Sequence, residues 1–106
     1  MASTWAHEAG HGASMPIFSK ILSKRYSPKT PPTPNDIAFE AYQSYHPELE
    51  GAAEYIGHHI QRKAGLEPDI FFGHGGGQRA VFEELIEMPS KNPYMNVYRY
   101  LQKVVR

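Results

Sequence analysis

The chain has 106 residues, with eleven basic and eleven acidic side chains, nine glycines, nine prolines and no cysteine, which leaves room for one domain and none for disulfide staples or thiolate metal sites. Zero formal net charge argues against a nucleic-acid binder, whose affinity rests on a basic excess that neutralises phosphate. No apolar run approaches the roughly 20 residues of a membrane-spanning helix, and Pro16 and Lys20 interrupt the only apolar stretch near the start, so a soluble or peripheral protein without a secretory signal is expected.

Residues 1–15 are small, glycine-containing and aperiodic, and read as an extended arm. Pro16 suits the first turn of a short helix. Ile17, Phe18, Ile21 and Leu22 then share one face, Lys20, Lys24 and Arg25 the other, and the segment ends near Tyr26. Pro28, Pro31, Pro32 and Pro34 make the next stretch a polyproline-like connector. Together these give an arm over residues 1–34 and a helical domain over residues 35–106.

Asn35 is the expected cap of a helix reaching about His46, with Ile37, Ala38, Ala41, Tyr42 and Tyr45 at helical spacing. Pro47 closes it and opens another, whose stripe is Leu49, Ala53, Ile56 and Ile60 and whose terminator is Gly65. Residues 66–72 form an apolar extended piece, followed by the run Gly73-His74-Gly75-Gly76-Gly77. Val81, Phe82, Leu85 and Ile86 predict a helix over Gln78–Met88, stopped by Pro89. Asn92 and Pro93 cap a last helix with the stripe Tyr94, Val97, Tyr98, Leu101, Val104 and Val105, and with Lys103 and Arg106 at its negative end. The fold class is all-α: a small irregular protein of four or five short helices with an extended N-terminal arm.

Two strings look like chemistry. His7-Glu8-Ala9-Gly10-His11 matches H-E-x-x-H and over these five residues resembles the zinc metallopeptidases. That resemblance implies His7 and His11 as ligands on one helical face, with Glu8 activating the bound water. Gly10 and Gly12 weaken the helix it requires, and six preceding residues leave no room for a strand to roof a cleft. A zinc-dependent hydrolase is therefore the alternative; the leading expectation is no metal, no cofactor and no enzyme. His74-Gly75-Gly76-Gly77 resembles the oxyanion loop of some esterases, but the chain contains no G-x-S-x-G. The amides of Gly75, Gly76 and Gly77, with Arg79 beside them, supply a second alternative, a module for phosphate or carboxylate at a helix start. The lysine and threonine of a P-loop are missing. His58 and His59 lie beside the apolar stripe of their helix and read as ordinary histidines.

Residues 1–34 carry too little apolar surface to order themselves, so neighbouring proteins are expected to hold them. The candidate contacts are Trp5 in the arm, Ile17, Phe18, Ile21, Leu22 and Tyr26 on its short helix, Phe71 and Phe72 before the glycine run, and Tyr94 and Tyr98 on the last helix. Tyrosine suits such surfaces because a large ring is buried while its polar tip stays wet. The basic, serine-containing stretch ending Arg25-Tyr26-Ser27 looks like a mitochondrial targeting sequence at its cleavage point. Small cysteine-free helical chains with proline-rich arms look like accessory subunits of organellar assemblies such as respiratory complexes. The expectation is a non-catalytic accessory subunit that staples larger protein subunits, with no nucleic acid, no membrane span and a position peripheral to a membrane complex.

Overall fold

The computed structural model describes residues 2–67 and 76–105, without side chains for residues 2–4 and 76. The described residues form five helices: α1 Ala2–Ser23, α2 Pro34–Gln43, α3 His46–Lys63, α4 Gly76–Ile86 and α5 Pro93–Val104. The all-α class holds. Helix α3 is the hub and touches each of the other four, while α1 and α4 also meet α5. Phe18, Ile21 and Leu22 of α1 join Leu49, Ala52 and Ile56 of α3 in one core. Val81 and Leu85 of α4, and Val97, Tyr100, Leu101 and Val105 at α5, complete it.

The front of the chain departs from the sequence reading. Residues 2–23 are one helix rather than an extended arm leading into a short one. Its buried face is a ladder stepping every four residues, Ala6, Gly10, Ser14, Phe18 and Leu22. The first three rungs are small, so they carry no hydrophobic signal, yet they let α1 lie directly on the backbone of α3. A Cβ built at Gly10 would stand 2.1 Å from the Ala53 carbonyl oxygen, and one at Gly57 would stand 2.8 Å from the Ala6 carbonyl oxygen. The helices run antiparallel, since Ala6 meets Gly57, Gly10 meets Ala53 and Phe18 meets Tyr45. Pro16 is tolerated inside α1 because it and Gly12 are both exposed. The Gly12 carbonyl that loses an intrahelical donor therefore faces water.

This packing also reassigns several expected partner contacts. Phe18, Ile21 and Leu22 are core, at 0–3 % exposure, so in this fold they face the chain's own helices. Ile17 and Tyr26 pack partly against the same core. Arg25 donates to the Val105 carbonyl at 2.8 Å and closes the C-terminal end of α5. Lys103 stands in the last turn of α5 as expected and also pairs with Glu84 at 2.7 Å; Arg106 lies outside the described residues.

Helix ends follow local chemistry. The cap of α2 is Thr33, two residues before the expected Asn35. Its hydroxyl accepts from the Asp36 amide, and the Asp36 carboxylate accepts from the Thr33 amide, a reciprocal box with Pro34 in the first turn. Gly65, at φ +77°, ends α3. The Leu66 amide then reaches back to the Gln61 carbonyl and the Gly65 amide to that of Arg62, as in a Schellman turn. Asn92 caps α5 as expected, accepting from the amides of Tyr94 and Met95. The extended piece expected over residues 66–72 and the glycine run 73–77 fall largely outside the described residues.

Candidate functional site

The close approach of α1 and α3 brings together four side chains that the sequence separates. His7 and His11 are one turn apart on α1, next to the small ladder. Glu50 and Glu54 are one turn apart on α3, next to Ala53 and Gly57. His7 is clasped from both sides: its Nε2 lies 2.8 Å from Glu50 Oε2 and its Nδ1 lies 2.8 Å from Glu54 Oε1. His11 Nε2 lies 3.1 Å from Glu50 Oε1 and 3.1 Å from His7 Nε2. The two imidazoles meet edge to face with centroids 4.7 Å apart. His46, one turn before Glu50 on α3, brings its Nε2 to 3.4 Å from Glu50 Oε1.

Burial sharpens the electrostatics. Glu50 and Glu54 are 8 % and 7 % exposed, and a carboxylate removed from water must be compensated by hydrogen bonds or opposite charge. The imidazoles supply that compensation. Each ring nitrogen of His7 faces a carboxylate oxygen, Nδ1 that of Glu54 and Nε2 that of Glu50, and Nε2 also points to where His11 converges. One donor atom each from His7, His11 and Glu50 lie within 4.8 Å of one another, a compass that one cation can span. Glu8, the base of the zinc-peptidase reading, is exposed and outside this group.

The other sequence candidates are dispersed. Trp5, at 60 % exposure, stands on the outer face of α1. Tyr94 is exposed at the start of α5, and Tyr98 is half-buried with its hydroxyl accepting from Lys24 Nζ at 3.2 Å. Gly76 and Gly77 open α4, where the exposed Arg79 bonds Glu83 at 3.1 Å. Gly75, His74, Phe71 and Phe72 lie outside the described residues.

Two further features lie elsewhere on the described surface. Helix α2 buries none of its residues, and Phe39 and Tyr42, three apart on one side, are 61 % and 70 % exposed. A depression between the end of α3 and the α4–α5 connection is lined by His58, His59, Arg62, Lys91, Ile86 and Pro93. Burial, with Arg62 nearby, holds His58 below the usual imidazole range; burial, with Lys63 nearby, does the same for His59. The histidine–glutamate group had a sequence signal in its matched i,i+4 pairs (His7/His11, Glu50/Glu54, His46/Glu50), and the α2 surface had one in aromatics at i,i+3 (Phe39/Tyr42). No helix among the described residues is long and apolar enough to cross a membrane. No family model, curated protein or solved structure matches the chain.

Proposed function

We propose that the chain is a non-catalytic docking subunit, a small helical protein that offers aromatic surface to a larger protein within an assembly. The observation that carries this reading is α2. Isolated helices shorter than about 12–15 residues are marginal in water. This ten-residue helix hides nothing completely and leaves Phe39 and Tyr42 largely in solvent. Its intramolecular support is the Thr33/Asp36 cap and partial cover of Ile37 and Ala41. A partner laid over Phe39 and Tyr42 would bury two large rings, the kind of anchor that dominates protein interfaces. Trp5 adds a third exposed ring elsewhere.

The position of Glu8 away from the histidine–glutamate group supports a non-catalytic role over the hydrolase alternative. A mitochondrial, respiratory-type assembly remains the expected setting. The basic segment Lys20–Arg25 would then be retained, because cleavage after it would strip Phe18, Ile21 and Leu22 from the core.

The test is a photo-crosslinking amino acid placed at Tyr42, with the exposed Arg99 as control position, in the cells that make the protein. A covalent adduct to one larger chain from position 42, absent from position 99, is the expected result. No adduct, together with a monomeric native mass, would refute the reading.

A further inference from the structure

We propose that the seam between α1 and α3 binds one zinc-class divalent cation, with His7 Nε2, His11 Nε2 and a Glu50 carboxylate oxygen as its ligands. The proposal stands apart from the docking reading and survives its failure. Three observations converge on it.

The first is geometry. The three donor groups are separated by 2.8, 3.1 and 3.1 Å. The two Glu50 distances use different oxygens, Oε2 toward His7 and Oε1 toward His11, and one donor atom from each of the three residues lies within 4.8 Å of the others. Atoms sharing a tetrahedral ion at ordinary zinc bond lengths stand about 3.4 Å apart, so a modest side-chain adjustment gathers them round one ion. The second is Glu54. Metal-bound imidazoles almost always donate their other N–H to a carboxylate or carbonyl, which fixes the tautomer. Glu54 holds His7 Nδ1 in that way at 2.8 Å. The third is charge. Two nearly buried carboxylates one turn apart repel each other, and a dication in the seam offsets both.

The donor set selects the metal class. Two imidazoles with one carboxylate suit zinc and its transition-metal neighbours, whereas calcium and magnesium prefer all-oxygen cages. His46, partly exposed and 3.4 Å from Glu50 Oε1, marks the rim where a fourth ligand or water enters. Because the imidazoles belong to α1 and the carboxylate to α3, the ion bridges two helices. Its role is a clamp that fastens α1 to the hub helix.

The test uses the full chain, stripped with a chelator and titrated with zinc chloride by calorimetry and thermal melting. One equivalent should bind, and Tm should rise. His11→Ala, at the more exposed ligand, should lose both signals while its circular dichroism stays helical. The double variant His58→Gln/His59→Gln should keep both. Glu54→Gln should bind with the same stoichiometry but about 10–100-fold more weakly. X-ray absorption on the zinc-loaded unmodified chain reads the ligands directly, whether or not a variant folds, and should give a nitrogen and oxygen shell with at least two imidazoles. Absence of binding, equal binding by a folded His11→Ala chain, or a shell with fewer than two imidazoles overturns the proposal.

Discussion

Gly10→Ala and Gly12→Ala place the same methyl group two residues apart on α1, and their effects should have opposite signs. Both glycines are helical, so alanine gains about 1 kcal/mol of propensity at either position. At Gly12 nothing lies within 4 Å of the new Cβ, and that gain stands alone. At Gly10 the Cβ would meet the Ala53 carbonyl oxygen at 2.1 Å, its carbon at 2.8 Å and its Cα at 2.9 Å, all of them backbone. No side chain can rotate away, so α1 must lift from α3 by roughly 1 Å. A gap of that size forfeits about a quarter to a half of each dispersion contact it opens, and overpacking of this kind costs about 1–3 kcal/mol, sometimes more. Because every clashing atom is backbone, the cost belongs at the upper end of that range, and net of propensity Gly10→Ala should destabilise by about 2 kcal/mol, a fall in Tm of about 8–16 °C for a domain this size. Gly12→Ala should raise Tm by several degrees. Thermal and urea melts of the two variants beside the unmodified chain are the assay. A Gly10→Ala protein as stable as Gly12→Ala would show that α1 does not lie on α3 as described.

Other outcomes follow from the same structure. Leu101→Ala, at a fully buried position, should cost about 2–5 kcal/mol through the cavity it leaves, read from the denaturation midpoint. Thr33→Ala removes the α2 cap and should weaken that helix by about 1 kcal/mol; faster amide exchange confined to residues 35–43, with little change in global Tm, is the signature. His58 and His59 are held below the ordinary imidazole value of 6.5 by burial. The unfolded chain therefore takes up protons there first, and the stability present above that value is lost as pH falls beneath it. A His58→Gln/His59→Gln variant should lose less stability than the parent between about pH 7.5 and 5.5; equal losses would assign the acid sensitivity elsewhere.

The later helices were legible because their signals are the strong ones. Large apolar residues recur at helical spacing in Val81–Leu85 and Val97–Leu101, with Asn92-Pro93 opening α5 and Gly65 closing α3. The part of helix α1 before Pro16 was not legible, for a specific reason. Its first buried rungs are Ala6, Gly10 and Ser14, and burial of small residues is invisible to a search for large apolar ones. Glycine also counts against a helix in isolation, while here the missing Cβ is what admits the neighbouring backbone. The histidine–glutamate group depended on that helix. His7 and His11 look like a chance string on an arm and become a paired face once α1 is helical, and the carboxylate partners of His7 are 43 and 47 residues away. The α2 cap shows a smaller version of the same lesson: Thr33-x-x-Asp36 outcompetes Asn35 because its two hydrogen bonds are reciprocal.

Hydrogen exchange of the isolated chain, followed residue by residue at neutral pH with chelator present, bears most directly on whether α1 is bound to α3 by the chain's own contacts. Amides from Gly10 to Leu22 should be protected to nearly the same degree as those of α3. Complete exchange over residues 6–15 within the dead time, with α3, α4 and α5 still protected, would contradict the account.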